Sequence, residues 1–204
     1  MVLLVTLSCA LLGLSGWPLV IVVLAVASGQ ASVGWSNDYL DSKFDLELER
    51  LSKPVVRDGL SPSSLRTPIL ASLVLVVPFS FLAGGLIGGL AHLIAVASAW
   101  SYNLWLARTV WSWLPYAVSF ALLPIFIAQA VSRSLWPGWP VTLLFILVGV
   151  VSHLLNAIPD IEIDRRSGLG GLAVRLGRTR SICLSLILGL AGLVLVGISI
   201  ASMS

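Results

Sequence analysis

Residues 18–45 read PLVIVVLAVASGQASVGWSNDYLDSKFD, an apolar run that passes directly into a dense set of carboxylates. The run from Pro18 to about Val33 has no charge and no alternation of apolar with polar residues. It therefore reads as a membrane-spanning helix, because only helices satisfy their own backbone in lipid over such a segment. Asn37, Asp38, Asp41 and Asp45 follow at once. Spacings of three and four would stack the three aspartates on one helical face, where like charges repel. A divalent cation removes that repulsion, and closely packed carboxylate oxygens suit Mg²⁺, a hard ion that bridges to phosphate. An acidic, solvated helix start is the other reading, and this stretch alone leaves both open.

Working outward, 58% of the 204 residues are hydrophobic and only 10% are charged, against roughly a quarter charged in soluble domains. Further apolar stretches lie at about 68–84, 86–103, 114–131, 140–157 and 181–200. Residues 1–15 are apolar but under-length for a span, which needs about 20 residues. They lack the basic start and small-residue cleavage site of a signal peptide. The expectation is an all-α, polytopic transmembrane helical bundle in one domain, residues 1–204, with about seven hydrophobic segments, the first short. Cys9 and Cys183 sit singly in apolar runs and read as packing residues.

Charge placement predicts the topology. All nine acidic residues lie within 38–58 or 160–164. Four expected spans separate these loops, which places both on one side of the membrane. Eleven of the twelve basic residues fall on that side, and only Arg133 falls opposite, beside Trp136 and Trp139. By the positive-inside rule the carboxylate side is cytoplasmic. No basic tract calls for a nucleic-acid partner.

Gly84, Gly85, Gly88 and Gly89 form small-xxx-small pairs, read as helix-packing positions. His92 and His153 are single histidines inside spans, and His153 lies one turn before Asn156. Asn156, Asp160 and Asp164 then recur every four residues, predicting a face with an amide and two carboxylates. Two such clusters on one membrane side, both ringed by cations, suggest paired metal-binding sets that hold a diphosphate.

These stretches resemble the two aspartate motifs of the UbiA superfamily of intramembrane prenyltransferases. Asn37-Asp38-x-x-Asp41-x-x-x-Asp45 resembles the first, followed by Arg50, the Lys53-Pro54 pair and Gly59; Asp160-x-x-x-Asp164 resembles the second, with Gly171 to Gly177 after it. Tyr102 to Arg108 is similar to the Tyr…Lys-Arg connection between helices, with Ala107 in place of the first cation. The resemblance, close to 4-hydroxybenzoate polyprenyltransferases, implies a helical bundle with a cavity open to lipid. It implies Mg²⁺-dependent transfer of a prenyl group from a polyprenyl diphosphate to an aromatic or other lipophilic acceptor, as in quinone biosynthesis. By the same resemblance, Asn37, Asp38, Asp41, Asp45, Asp160 and Asp164 bind the metal, the five aspartates being catalytic. Asn37, Arg50, Lys53, Tyr102, Arg108 and Asn156 contact the diphosphate. Relatives have more spans than the seven visible here, so a chain shortened at both ends is expected, in a bacterial plasma membrane. A cation transporter built on the same carboxylates, or an inactive fragment that binds prenyl diphosphate, are the competing readings.

Overall fold

In a computed structural model, which describes residues 1–47, 53–166, 168 and 170–201, the described residues form helices joined by short turns. In chain order these are α1 (Val2–Leu11), α2 (Gly16–Leu40), α3 (Ser42–Glu47), α4 (Pro54–Arg57), α5 (Arg66–Leu104), α6 (Leu114–Val131), α7 (Trp139–Ala157), α8 (Ile161–Arg166), α9 (Leu172–Leu176) and α10 (Arg178–Ala201). Among the described residues, five helical stretches are long and apolar enough to cross a membrane, and α1 is a shorter apolar helix.

Five spanning stretches and the short α1 stand beside the seven expected segments, and the difference lies in α5. The two expected spans, 68–84 and 86–103, join with no polar loop between them. Gly85 adopts φ 60° and ψ −159°, a non-helical conformation inside an otherwise continuous helix. Beyond it the chain doubles back. Ser80 Oγ lies 2.7 Å from His92 Nδ1 across twelve residues, which a straight helix would hold about 18 Å apart. The reversal is tight enough that a Cβ on Gly84 would meet the amide nitrogen of Gly89 at 2.8 Å, and one on Gly89 would meet Phe81 Cδ1 at 2.6 Å. The glycines that read as packing positions therefore also make the turn.

α1 tucks Val5 and Cys9, one helical turn apart, into a core with Val22, Ala25, Val26, Ala83, Leu123, Phe126 and Ile127. Its other face is left to lipid, with Leu3, Leu7 and Leu11 exposed. Small residues let the long helices approach, as expected where both neighbours and lipid are apolar. A Cβ on Gly29 of α2 would meet Val96 of α5 at 2.9 Å; one on Gly149 of α7 would meet the Tyr116 carbonyl at 2.7 Å and Phe120 Cβ at 2.9 Å. Gly149→Ala is expected to force α6 and α7 apart and destabilise the protein by about 1–3 kcal/mol, the usual cost of overpacking. Thermal unfolding in detergent measures it.

Two small cores seat the connecting helices at the end of the bundle that carries both acidic segments. Val55 packs with Leu65 and Ile69 against Tyr39 and Trp100, which brings α4 over the end of α2. Leu154, Ile161 and Ala173 pack with Leu184 and Leu188, which holds α8 and α9 against α7 and α10.

Candidate active site

The two acidic segments converge. Asn37 and Asp41 from the end of α2, and Asp160 and Asp164 from the turn and helix after α7, line one cavity of about 210 Å³. Phe44, Lys53, Tyr102, Ala107, Arg108 and Gly171 complete its wall. The cavity thus draws on α2, α3, α5 and α8 and on the connections beside them.

Local geometry decides which side chains face it. α2 ends at Leu40, and Asp41 caps it at φ −88° and ψ −3°, so α3 restarts at Ser42 after a bend. The three aspartates have different surroundings. Asp41 lines the cavity. Asp38 instead accepts a hydrogen bond from Lys53 Nζ at 2.8 Å, and Asp45 is buried, 1% exposed. Lys53 Nζ also donates to Asn37 Oδ1 at 2.7 Å, while Asn37 Nδ2 donates to Asp41 Oδ2 at 2.8 Å. This chain of bonds fixes Asn37 with its amide oriented and presents Asp41 to the cavity. Arg108 Nη2 stands 3.8 Å from Asp41 Oδ1 on the far wall, with 61% of its side chain exposed and free to reach an anion.

On the second segment, α7 stops at Ala157 and a tighter 3₁₀ turn, Ile158–Asp160, intervenes before α8. Three residues per turn instead of 3.6 breaks the four-residue phase. Asp160 and Asp164 reach the cavity, whereas Asn156 is exposed and does not line it. Arg50 lies outside the described residues.

Polar cross-links hold the walls in register. Asn103 Nδ2 donates to the Val33 carbonyl at 2.8 Å and to Ser36 Oγ at 2.9 Å, which sets Tyr102 beside Asn37. One turn deeper, Trp100 Nε1 donates to Ser32 Oγ at 3.2 Å. Arg66 donates through Nε and Nη2 to the Tyr39 hydroxyl at 3.1 and 2.8 Å, which ties the start of α5 to the end of α2. Local sequence reading passed over Asn103 and Ser36, because their partners lie tens of residues away; a polar residue inside an apolar run was the available signal.

The donor set can be tested against a divalent ion. Among the described residues, no three His, Cys, Asp or Glu side chains form a ready metal cage. Mg²⁺ usually takes one or two carboxylates and completes its octahedron with water and substrate phosphate. Carboxylates from two segments, lining one cavity with Lys53 and Arg108, fit an ion that arrives with an anionic ligand.

Comparison with known proteins gives the family. The model of the UbiA prenyltransferase family matches residues 1–204. The chain belongs to the UbiA prenyltransferase family. Glycinol 4-dimethylallyltransferase of Glycine max is 27% identical, over 70% of this chain and 40% of that protein. The chain thus spans well under half the length of this curated relative. Two solved UbiA homologues share the fold at 18% identity. The apo structure from Aeropyrum pernix K1 superposes with a TM-score of 0.69 over 94% of this chain and 74% of its own. The structure from Archaeoglobus fulgidus, bound to DMAPP and Mg²⁺, does so with 0.75 over 95% and 71%. The UbiA fold here is therefore an all-helical membrane bundle in which the reversal at Gly85 does the work of a loop.

Proposed function

We propose that this UbiA-family chain carries the prenyl-diphosphate site of an Mg²⁺-dependent intramembrane prenyltransferase. The observation that supports the reading best is the meeting of Asn37 and Asp41 with Asp160 and Asp164 in one cavity that also holds Lys53 and Arg108. The homologue solved with DMAPP and Mg²⁺ supports the same ligand class. Asn37, Asp41, Asp160 and Asp164 are assigned to the metal and diphosphate. Lys53, Tyr102 and Arg108 are assigned to the diphosphate oxygens, and Asp38 and Asp45 to support of the first segment.

When bound, Mg²⁺ supplies Lewis-acid stabilisation of the charge that builds on the diphosphate as the allylic C–O bond breaks. The chain's own residues do the rest. Arg108 offers a planar set of donors to the leaving oxygens, and Lys53 offers a point charge beside Asn37. Lys53 is held by hydrogen bonds to Asn37 and Asp38 before substrate arrives, so it stabilises the departing charge without reorganising. Tyr102 and Phe44 give the cavity ring surface, which favours the allylic cation and displaces water from it. The acceptor is an aromatic or other lipophilic nucleophile; the name of the Glycine max relative, which specifies glycinol, is consistent with an aromatic one. Orientation with the carboxylates cytoplasmic follows from the positive charge on that side.

The test is Mg²⁺-dependent diphosphate release from dimethylallyl and longer prenyl diphosphates by protein in nanodiscs, across aromatic acceptors. EDTA is expected to stop it. Release that is indifferent to EDTA refutes the reading, and Mg²⁺-dependent binding without turnover on any acceptor moves the assignment to a binding-only chain. Lys53→Met removes both bonds that orient Asn37 and Asp38. It is expected to weaken Mg²⁺-dependent prenyl diphosphate binding by about 10–100-fold, in line with loss of groups that orient metal ligands. Calorimetric titration measures it.

A further inference from the structure

Ser112 lies in the connection between α5 and α6, is fully buried, and belongs to no part of the site as described so far. Its hydroxyl joins three segments. Leu172 N–H, at the start of α9, donates to Ser112 Oγ at 3.0 Å. The same oxygen lies 3.0 Å from His153 Nε2 on α7, and His153 is 2% exposed. The hydroxyl and Nε2 share one hydrogen bond, whose direction follows the imidazole tautomer. The His153 ring then packs against Tyr116, with centroids 5.1 Å apart, and edge-on to Tyr102 at 5.9 Å.

The surroundings leave no slack. A Cβ on Gly171 would meet the Ala107 carbonyl at 2.9 Å, and one on Gly170 would meet the Arg108 carbonyl at 3.1 Å. The connection that carries Arg108 is therefore laid directly on the strand of chain that follows Asp164. The Ser112 hydroxyl is the hydrogen bond that fastens the two together.

We infer that Ser112 and His153 form a positioning pair that holds the Arg108 connection and the Asp160–Asp164 segment at one fixed separation. Through the ring contact, the pair also seats Tyr102 on the cavity wall. Neither residue touches the ligand. The pair acts by setting the distance across which Arg108 and the second carboxylates share one diphosphate. Such a role rests on the prenyl-diphosphate reading for its functional consequence, but the pin itself has a signature of its own.

Two readouts separate the claims. The first is amide hydrogen exchange of residues 170–176 followed by mass spectrometry, which needs no ligand. Ser112→Ala and His153→Leu are expected to raise exchange there, while His153→Gln, whose terminal amide can replace the Nε2 contact, keeps it near the unmodified level. The second is Mg²⁺-dependent binding of inorganic diphosphate. Ser112→Ala and His153→Leu are expected to weaken it by about tenfold, and His153→Gln by less than about threefold. Exchange unchanged in Ser112→Ala overturns the pin. Increased exchange with unchanged diphosphate affinity overturns the positioning role, and so does a His153→Gln variant that behaves like His153→Leu. Absence of diphosphate binding in the unmodified protein refutes the proposed function instead, and leaves the exchange result to decide the pin. If Ser112→Ala does not survive extraction, the contrast between His153→Leu and His153→Gln carries both readouts.

Discussion

Asp41→Asn and Asp160→Asn are each expected to lower Mg²⁺-dependent diphosphate release by a factor of about 100–1,000, the range seen when one preorganised electrostatic group is lost. The substitution keeps size and shape while removing the charge. Asp41 is only partly exposed, receives Asn37 Nδ2 on one oxygen, and faces Arg108 with the other. Its neutral amide would leave Arg108 without its acidic neighbour and remove a hard oxygen donor from the wall. Asp160 lines the same cavity from the 3₁₀ turn after α7. Because the two groups act on one ligand, their effects are expected to be far from additive in the double variant. Raising Mg²⁺ should recover part of the activity of either single variant and little of the double. Initial rates against Mg²⁺ concentration give the answer; equal and Mg²⁺-independent losses would remove both residues from the metal site.

The largest expected effect on stability belongs to Gly85→Ala. At φ 60° and ψ −159° Gly85 occupies a region that residues with a Cβ essentially do not enter, at a cost of about 1–3 kcal/mol. The new methyl would also lie 2.9 Å from Arg133 Nε. Arg133 cannot easily yield, because its guanidinium donates to the carbonyls of Ala83 and Gln129 and so caps the ends of two helices. Strain and displacement together predict a loss of about 2–4 kcal/mol, visible as a lower unfolding temperature in detergent. Gly34→Ala is the control. It lies in α2 with nothing within 4 Å of the added carbon, so helix propensity alone predicts no loss and a gain of up to about 1 kcal/mol. Equal losses at both positions would show that the reversal at Gly85 is not special.

Much of this was legible from the amino-acid sequence. Long uncharged runs determine a membrane bundle whatever the packing, because lipid cannot solvate a backbone that is not helical. The spacing of Asn37, Asp41, Asp160 and Asp164 marked a charged site, since unpaired carboxylates beside apolar runs are costly unless a cation or donor meets them. Other features belong to tertiary structure alone. The sequence placed a boundary at residue 85, between the apolar runs 68–84 and 86–103, but that the chain reverses there within a turn of glycines shows only when Ser80 and His92 are seen to touch. A period of 3.6 holds only within one helix. The turn at Ile158–Asp160 reset the phase after α7 and left Asn156 outside the cavity, while Asp38 is taken by Lys53. Nor does local pattern encode a partner far along the chain. That Lys53 answers to Asn37, Asn103 to Ser36, and Ser112 to both His153 and Leu172 follows from how the helices stack, because a hydrogen bond forms where packing brings donor and acceptor within about 3 Å.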